Sequence, residues 1–217
     1  MKLYSLPHSP YAARVRIQAR IDQLPVEVLP PPVPLRTEMF MQRFPLGKVP
    51  VLELDDGEVI AESWAIMEYL AEAGPASSDL LPNTPLERAR MRVLGRYADL
   101  HLATNALFPL FRVAMGAGQG DTAAIAESLR AELLKGERLL ADLGSDRQLS
   151  LGDIALAPTI LYLQELAPVA GVKDPLEGFP ELSAWWAWVN SFPAVSETLE
   201  EVRAGYHAFV ASLAAKA

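Results

Sequence analysis

Two segments near the amino terminus, Lys48-Val49-Pro50 and Glu62-Ser63, carry the residues best suited to bind a charged ligand. Pro50 has no N–H to donate to a sheet, so it belongs at the first residue of a strand or on an edge strand. If the Val49-Pro50 bond is cis, the chain turns sharply and Val49 can present its own N–H and C=O. Glu62 and Ser63 begin a helix, where free N–H groups and the positive dipole end favour a carboxylate. These residues predict a site for a zwitterionic peptide, with its extended backbone against Val49.

Ser9 and Pro10 form a second candidate, at the start of an earlier helix. Ser9 suits the N-cap position and Pro10 suits the first helical position. From this pair alone, a helix cap is the favoured interpretation of Ser9. A capping serine accepts a backbone N–H while its own hydroxyl proton points elsewhere, so Ser9 can also donate a hydrogen bond to a ligand.

The composition is that of an ordinary globular protein, and it excludes several classes of site. The 217 residues are 51% hydrophobic and 21% charged, with a net charge of −8 and no basic cluster, so we expect no nucleic-acid partner. The absence of cysteine excludes disulfides, thiolate metal ligands and a catalytic thiol of the protein itself. The three histidines lie far apart in sequence, and we expect no metal. No apolar run could cross a membrane and the first residues do not resemble a signal peptide, so we expect a cytoplasmic protein.

The elements that position these residues follow from the hydrophobic pattern of the first seventy-odd residues, which predicts the order β-α-β-α-β-β-α. Strands are expected at 2–6, 26–29, 51–54 and 58–60, and helices at 10–24, 35–44 and 63–73. Asp55-Asp56-Gly57 predicts the turn that joins the last two strands.

The rest of the chain is predicted to be helical. Turn-rich segments at 74–78 and 82–85 mark the boundary, which gives domains 1–76 and 85–217. Helices are expected at 86–115, 122–143, 154–167, 180–192, 194–204 and 206–217. Ser150 and Asp153 have the spacing of a capping box at the start of the helix expected at 154–167.

Four segments resemble the soluble glutathione transferases, in matching order and spacing. Ser9–Arg16 is similar to the serine-type active-site segment of the tau-like and zeta-like classes, Ser-Pro-(aromatic)-x-x-Arg-x-Arg. Pro45–Leu52 is similar to the loop that binds the glutathione backbone, and Glu62–Ile66 to the γ-glutamyl site. Ser150 and Asp153 match the capping motif of the helical domain. The chain departs from the family at Phe44, where asparagine is frequent, and it lacks the cysteine that omega-like and beta-like members use.

This resemblance implies an α/β plus all-α fold, with a thioredoxin-like amino-terminal domain followed by a helical bundle. It also implies a cis Val49-Pro50 bond and a homodimer. The implied activity is that of a glutathione transferase in detoxification, which adds the thiol of glutathione to small hydrophobic electrophiles.

The resemblance implies one role for each site residue. Ser9 donates its hydroxyl hydrogen bond to the glutathione sulfur and so stabilises the thiolate, helped by the helix that begins at Pro10. Val49 binds the glutathione backbone and Lys48 the glycyl carboxylate. The γ-glutamyl end has its ammonium at Glu62 and its carboxylate at Ser63.

Several neighbouring residues have competing interpretations. Tyr4 is a rival to Ser9, because other transferase classes use a tyrosine near the amino terminus, but its position favours a place along the first strand. His8 could tune Ser9, contact the second substrate or be a solvated loop residue. Arg14 and Arg16 lie early in a helix, where the positive end of the helix dipole disfavours a cation. We therefore expect a carboxylate partner for them, either within the domain or across a dimer.

Three functions remain open from the sequence. The first is the transferase; the second is a glutathione-dependent cis–trans isomerase for maleyl-type acids; the third is a non-catalytic binding or regulatory protein of the same fold. Retention of Ser9, Lys48, Glu62 and Ser63 favours an enzyme. Candidates to line a second-substrate pocket are Leu6, Tyr11, Phe108, Phe111 and Arg112, none of which has a motif to identify the electrophile.

Overall fold

A mixed four-stranded sheet forms the amino-terminal part of the chain in the computed structural model, which describes residues 1–73, 78–117, 120–144 and 146–215. The strands are β1 (Lys2–Tyr4), β2 (Glu27–Leu29), β3 (Val51–Glu53) and β4 (Val59–Ala61), in the order β2-β1-β3-β4. β1 runs parallel to β2 and antiparallel to β3, and β3 runs antiparallel to β4. A helix connects β1 to β2, as a parallel pair requires.

Helices α1 (Pro10–Ile21), α2 (Glu38–Arg43) and α3 (Ser63–Ala73) alternate with these strands, which confirms the predicted order of elements. α3 has the predicted bounds. α2 is shorter than expected, because Thr37 caps it by accepting the Phe40 N–H at 3.3 Å. α1 ends early for a similar local reason, since the chain turns into a positive φ at Gln23.

Alternation along the strands gives the sheet two buried faces. Tyr4 and Val51 belong to a hydrophobic cluster with Phe40 of α2 and Phe44. Leu3 and Leu52, each fully buried, point to the opposite face, where α1 and α3 pack together. Both faces of this small sheet are therefore covered.

The hydroxyl of Tyr4 contacts the buried carboxylate of Glu53. This hydroxyl donates to Glu53 Oε2 at 3.0 Å, and the same carboxylate oxygen accepts from Arg43 Nη2 at 2.7 Å. Lys2 Nζ lies 3.5 Å from the other oxygen. Burial and the neighbouring Glu53 raise the pKa of Tyr4, while the Tyr4 hydrogen bond and the two cations lower the pKa of Glu53.

The chain divides into two compact units, and the first is discontinuous in sequence. These units are Met1–Leu81 with Ala194–Ala217, and Pro82–Pro193. The expected domains, 1–76 and 85–217, differ from this division because the carboxy-terminal helix packs on the first unit. The domain bounds 1–76 and 85–217 therefore stay a prediction. Residues 74–77 of the predicted boundary lie outside the described residues.

That carboxy-terminal helix, α9, runs unbroken from Pro193 to Ala214. The sequence predicted two helical segments, 194–204 and 206–217, so the expected break at Gly205 was wrong. Glycine costs about 1 kcal/mol in a helix interior, but a Cβ at Gly205 would lie 2.9 Å from the Cβ of Pro7. Close packing, and not a helix end, explains this glycine.

The second unit is helical throughout its described elements. These are α4 (Pro85–Arg96), α5 (Phe108–Ala114), α6 (Thr122–Leu143), α7 (Leu151–Leu166) and α8 (Pro180–Asn190). A π-helical segment, Tyr97–Leu107, joins α4 to α5, so the single helix expected at 86–115 is continuous but wider in its middle.

Helix α7 forms the core of the second unit, and its first thirteen residues, Leu151–Leu163, are all buried. α7 lies so close to α4 that a Cβ on Gly152 would be 2.5 Å from the carbonyl oxygen of Met91. The glycine therefore allows the two helix backbones to approach.

A fully buried carboxylate fixes the start of α7. Asp153 accepts two hydrogen bonds from Arg147, each 2.7 Å long, and one from Trp185 Nε1 at 2.8 Å. It also accepts from the Ser150 N–H at 3.0 Å and the Ser150 hydroxyl at 2.6 Å, which confirms the predicted capping box.

Within the residues that the structure describes, no helix is both long and apolar enough to cross a membrane.

Replacing Asp153 by alanine is expected to lower the free energy of unfolding by about 3–5 kcal/mol, because the Arg147 charge and the Trp185 N–H lose a buried partner. Urea unfolding measures the loss. Asp142→Ala, an exposed position on α6, is the matched control and should leave stability within about 0.5 kcal/mol. A loss of similar size in both variants contradicts the special role of Asp153.

Glu53→Gln is expected to lower the free energy of unfolding at neutral pH by about 1 kcal/mol, since the amide loses the charge that Arg43 and Lys2 bind. The folded pKa of Glu53 is depressed, so its contribution is present above the unfolded carboxyl pKa of about 4.3 and is lost as the pH falls through the lower folded value. The difference between variant and wild type should shrink in acid, as urea unfolding at neutral and acidic pH measures. Glu58→Gln, in an exposed turn, should show no difference at either pH.

Candidate active site

Three loops meet at one edge of the sheet, and each carries a predicted site residue. Tyr4, at the end of β1, pairs with Val51, and Val51, at the start of β3, pairs with Ala61, at the end of β4. Because both pairings are antiparallel, the chain leaves β1 and β4 at the edge where it enters β3. The register therefore places the turn before Ser9, the Lys48-Val49-Pro50 loop and the start of α3 beyond the same row of the sheet.

Ser9 lies at the amino-terminal end of α1 and is buried, with 8% of its surface exposed. Its Oγ accepts the Ala12 N–H at 3.2 Å, so Ser9 is the N-cap of α1. Its own N–H donates to the Leu6 carbonyl at 3.0 Å, which forms the turn between β1 and α1. In the described residues, the hydroxyl donates no hydrogen bond, so its proton is available to a ligand.

The Val49-Pro50 bond is cis, as the resemblance implied. Pro50 is buried and directly precedes β3, in keeping with its lack of an N–H donor. Val49 is half-buried and lies outside the sheet ladder. Among the described residues, its N–H and C=O make no backbone hydrogen bond, so both groups can pair with an extended ligand.

The start of α3 combines a strained residue with amides that precede the first intrahelical hydrogen bond. Glu62 has a φ of 71°, a region that costs a residue other than glycine of the order of 1 kcal/mol or more. Its carbonyl accepts the Ile66 N–H at 2.9 Å, so the N–H groups of Ser63 and the next two residues precede the first intrahelical hydrogen bond. Ser63 is buried and the Glu62 side chain is exposed. An anion suits the amides and a cation suits the carboxylate.

Lys48 is exposed on the loop that ends at the cis bond. In the described part of the chain it forms no ion pair, so its ammonium can bind a carboxylate that reaches this loop. The edge of the sheet thus offers a hydroxyl donor, free backbone groups and both signs of charge. Within the same described ranges, no group of three His, Asp or Glu residues is placed to hold a metal ion.

Tyr4, the rival of Ser9, and the neighbouring His8 both have other contacts. Tyr4 is buried along β1, as expected, and its hydroxyl donates to Glu53, which keeps its proton away from a ligand. His8 is half-buried, and its ring stacks on Phe209 of α9 with 4.5 Å between centroids. Burial lowers the pKa of His8, which favours the neutral imidazole near pH 7.

The carboxylate partner expected for Arg16 lies at the other end of the chain. Arg16 Nη1 donates to Glu201 Oε2 of α9 at 3.0 Å. The sequence indicated that a partner should exist but gave no signal for Glu201, which is separated from Arg16 by 185 positions. Arg14 is fully buried, with its guanidinium carbon 4.7 Å from the centre of the Tyr11 ring.

Comparison with known proteins agrees with this architecture. The family described as glutathione S-transferase, N-terminal domain, matches residues 3–78, and its C-terminal domain matches residues 130–193. A glutathione S-transferase-like protein of Aspergillus aculeatus is 33% identical over 171 residues, 75% of this chain and 78% of that protein. Glutathione S-transferase omega-1 of Sus scrofa is 28% identical over 200 residues, 90% of this chain and 79% of that protein.

A solved structure extends the match to the whole fold. The glutathione S-transferase of Methylobacillus flagellatus, crystallised with GSH bound, is 28% identical, with a TM-score of 0.71 over 91% of this chain and 98% of that one. The TM-score and the coverage of both chains show that the two proteins share one fold. The chain belongs to the glutathione S-transferase family of enzymes.

Proposed function

We propose that this protein is a serine-type glutathione transferase, in which Ser9 stabilises the glutathione thiolate for attack on small hydrophobic electrophiles. The observation that carries the proposal is the convergence of three loops at one sheet edge. That edge combines the buried Ser9 hydroxyl, the Val49 backbone, which makes no backbone hydrogen bond within the described ranges, and the amide-rich start of α3 at Ser63.

Glutathione has the charges and the extended backbone that this edge can bind. Its γ-glutamyl carboxylate suits the Ser63 hydroxyl and the free amides of α3, and its ammonium suits Glu62. The cysteinyl N–H and C=O pair with Val49, and the glycyl carboxylate with Lys48. The positive φ of Glu62 supports this assignment, because strained backbone is concentrated at ligand sites.

The chemistry follows from the position of Ser9. A free thiol has a pKa of about 8.5, and lowering it by about two units stabilises the thiolate by about 2.7 kcal/mol. The Ser9 hydroxyl can donate to the sulfur while its oxygen accepts the Ala12 N–H, so capping and activation do not compete. The amino-terminal end of α1 adds a positive partial charge at the same place.

The reaction then needs no base from the protein at the moment of attack. The thiol proton leaves to solvent as glutathione binds, and the sulfur donates its electron pair to form a new S–C bond. The electrophile either expels a leaving group or takes the electrons onto an adjacent atom, which is then protonated by water. Conversion of hydrophobic electrophiles into charged conjugates is a detoxification reaction. Since no disulfide can form in this chain, a reducing cytoplasmic compartment suits it.

We also propose that the protein is a homodimer. Leu86, Val93 and Leu100 are about half or more exposed and recur every seven residues, so they form one apolar row along α4 and the π-helical segment. In the first unit, Met39 and Leu46 expose 67% and 53% of their surface. Burial of such rows against a second copy is the usual reason for their exposure in an isolated chain.

Ser9→Ala is expected to raise the pKa of the bound glutathione thiol by about one to two units, because a hydrogen bond to a charged group contributes about 1.5–3 kcal/mol. The dissociation constant of glutathione should change little, since the peptide contacts remain. Ultraviolet absorbance of the thiolate as a function of pH measures the pKa in the complex. Ser9→Thr keeps the hydroxyl and should restore most of the shift.

Thr84→Ala is the control for capping, because Thr84 caps α4 in the same way, by accepting the Glu87 N–H at 3.2 Å. It should lower stability without moving the thiol pKa. An unchanged pKa in Ser9→Ala would leave Ser9 as a cap only. Failure to bind glutathione at all would favour the non-catalytic alternative, and turnover of a maleyl-type acid would favour the isomerase.

Val93→Glu is expected to convert the dimer into a monomer, because a charge in the middle of the apolar row would be buried without a partner. Size-exclusion chromatography with light scattering measures the mass. Leu134→Glu, at an exposed apolar position of α6, is the control and should stay dimeric. A monomeric wild type contradicts the proposal directly.

A further inference from the structure

One face of α9 contacts the turn that carries Ser9. Glu201, Gly205 and Phe209 are four residues apart and lie on the same side of the helix. Each has a contact in or next to the Pro7–Ser9 turn. Glu201 binds Arg16 of α1, the backbone of Gly205 packs on Pro7, and Phe209 stacks on His8.

Arg16 connects this face of α9 to the turn itself. Its Nη1 donates to Glu201 Oε2 at 3.0 Å, and its Nη2 donates to the carbonyl oxygen of Pro7, also at 3.0 Å. The Arg16 side chain is 10% exposed and the Glu201 side chain 44%, so the guanidinium is largely shielded from water while the carboxylate is partly open to it. The planar guanidinium thereby holds a loop carbonyl and a helix carboxylate at a fixed separation.

Glu201 is itself held by two cations. Its Oε1 accepts from Arg20, one turn after Arg16 on α1, and Arg20 also donates to Thr198 at 2.6 Å. Burial lowers the pKa of Arg16, and the Glu201 carboxylate opposes that effect. The charge of Arg16, in the middle of α1, is therefore compensated by a carboxylate of α9, since α1 itself contains no acidic residue.

The close approach of α9 leaves little freedom to the turn. A Cβ at position 205 would lie 3.0 Å from the backbone N of His8 as well as 2.9 Å from Pro7 Cβ, so the helix touches the loop through backbone atoms. The His8 ring is stacked at 19° to that of Phe209. Ser9 follows directly, and its hydroxyl direction depends on where this turn is held.

We propose that Glu201 and Arg16 are positioning residues, through which α9 fixes the Pro7–Ser9 turn and hence the place of the Ser9 hydroxyl. The inference rests on the proposed function of Ser9, because it assigns α9 a part in thiolate stabilisation. Neither residue contacts the sulfur. Small errors in the placement of an activating group reduce rates strongly. Loss of the Arg16–Glu201 ion pair is therefore expected to slow catalysis although no catalytic group is removed.

Glu201→Gln tests the proposal, since it keeps the shape of the side chain and removes the charge that holds Arg16. The bound thiol pKa should rise by about half a unit to one unit, and kcat should fall about three- to tenfold. The KM for glutathione should stay within about twofold, because Val49 and Ser63 are untouched. Glu200→Gln makes the same charge change at the adjacent, exposed position of α9 and should behave as wild type.

Amide hydrogen exchange supplies a readout that does not use glutathione. The Ser9 N–H donates to the Leu6 carbonyl, and the Ala12 N–H donates to Ser9 Oγ, so both report on the turn. Both amides should exchange faster in Glu201→Gln than in wild type or in Glu200→Gln.

The outcomes separate this inference from the proposed function. Glu201→Gln could lose stability and still keep the thiol pKa, kcat and amide exchange of the wild type. That result would show that Glu201 only docks α9, and Ser9 would keep its proposed role. An ordinary thiol pKa in the wild type would overturn both proposals. If Glu201→Gln does not fold, Arg16→Lys takes its place with the same expected results, because lysine keeps the charge but cannot reach both acceptors in one plane.

Discussion

The register of β3 against its two neighbours is the constraint on which the candidate site depends. Tyr4, Val51 and Ala61 form one row across the sheet, and the three functional loops leave that row together. A slip of β3 by one residue would turn Val51 out of the hydrophobic cluster that it shares with Tyr4 and Phe40, so the core enforces the register. Apolar packing within the sheet thus fixes the positions of the residues proposed to bind the ligand.

Charged side chains add the connections that apolar packing does not specify, namely the buried Glu53 and Asp153 and the partly exposed Glu201. Glu53 binds side chains from β1 and from α2, Glu201 binds two successive turns of α1, and Asp153 ties a loop arginine to a tryptophan of α8. Ion pairs of this kind contribute little net stability compared with apolar contacts, yet breaking one partner away is costly. Their effect in this fold is to fix which elements are neighbours and at what angle they meet.

The sequence predicted those features that are encoded locally. The Ser9 cap, the cis bond before Pro50, the start of α3 and the Ser150–Asp153 capping box all follow from short patterns of a few residues or from their resemblance to a family. What it did not predict depends on distant partners. Gly205 looked like a helix end because its only local effect is to weaken the helix, whereas its role is to admit Pro7. The charge of Arg16 demanded a carboxylate, but no local pattern could select Glu201.

The discontinuous first unit has a consequence for the order in which the protein is made. A ribosome releases the whole sheet, with Ser9 and the cis proline, before it has synthesised any of α9, and the entire second unit, Pro82–Pro193, emerges in between. Domains fold largely as they emerge, so the nascent first unit acquires its strands while the Arg16 side chain still has no Glu201 to bind. The contacts of α9 with the Ser9 turn can form only after the second unit has been synthesised. Because Leu199, Val202 and Tyr206 of α9 are buried, a chain cut short after the second unit would lose part of the core of the first unit together with the contacts at the Ser9 turn.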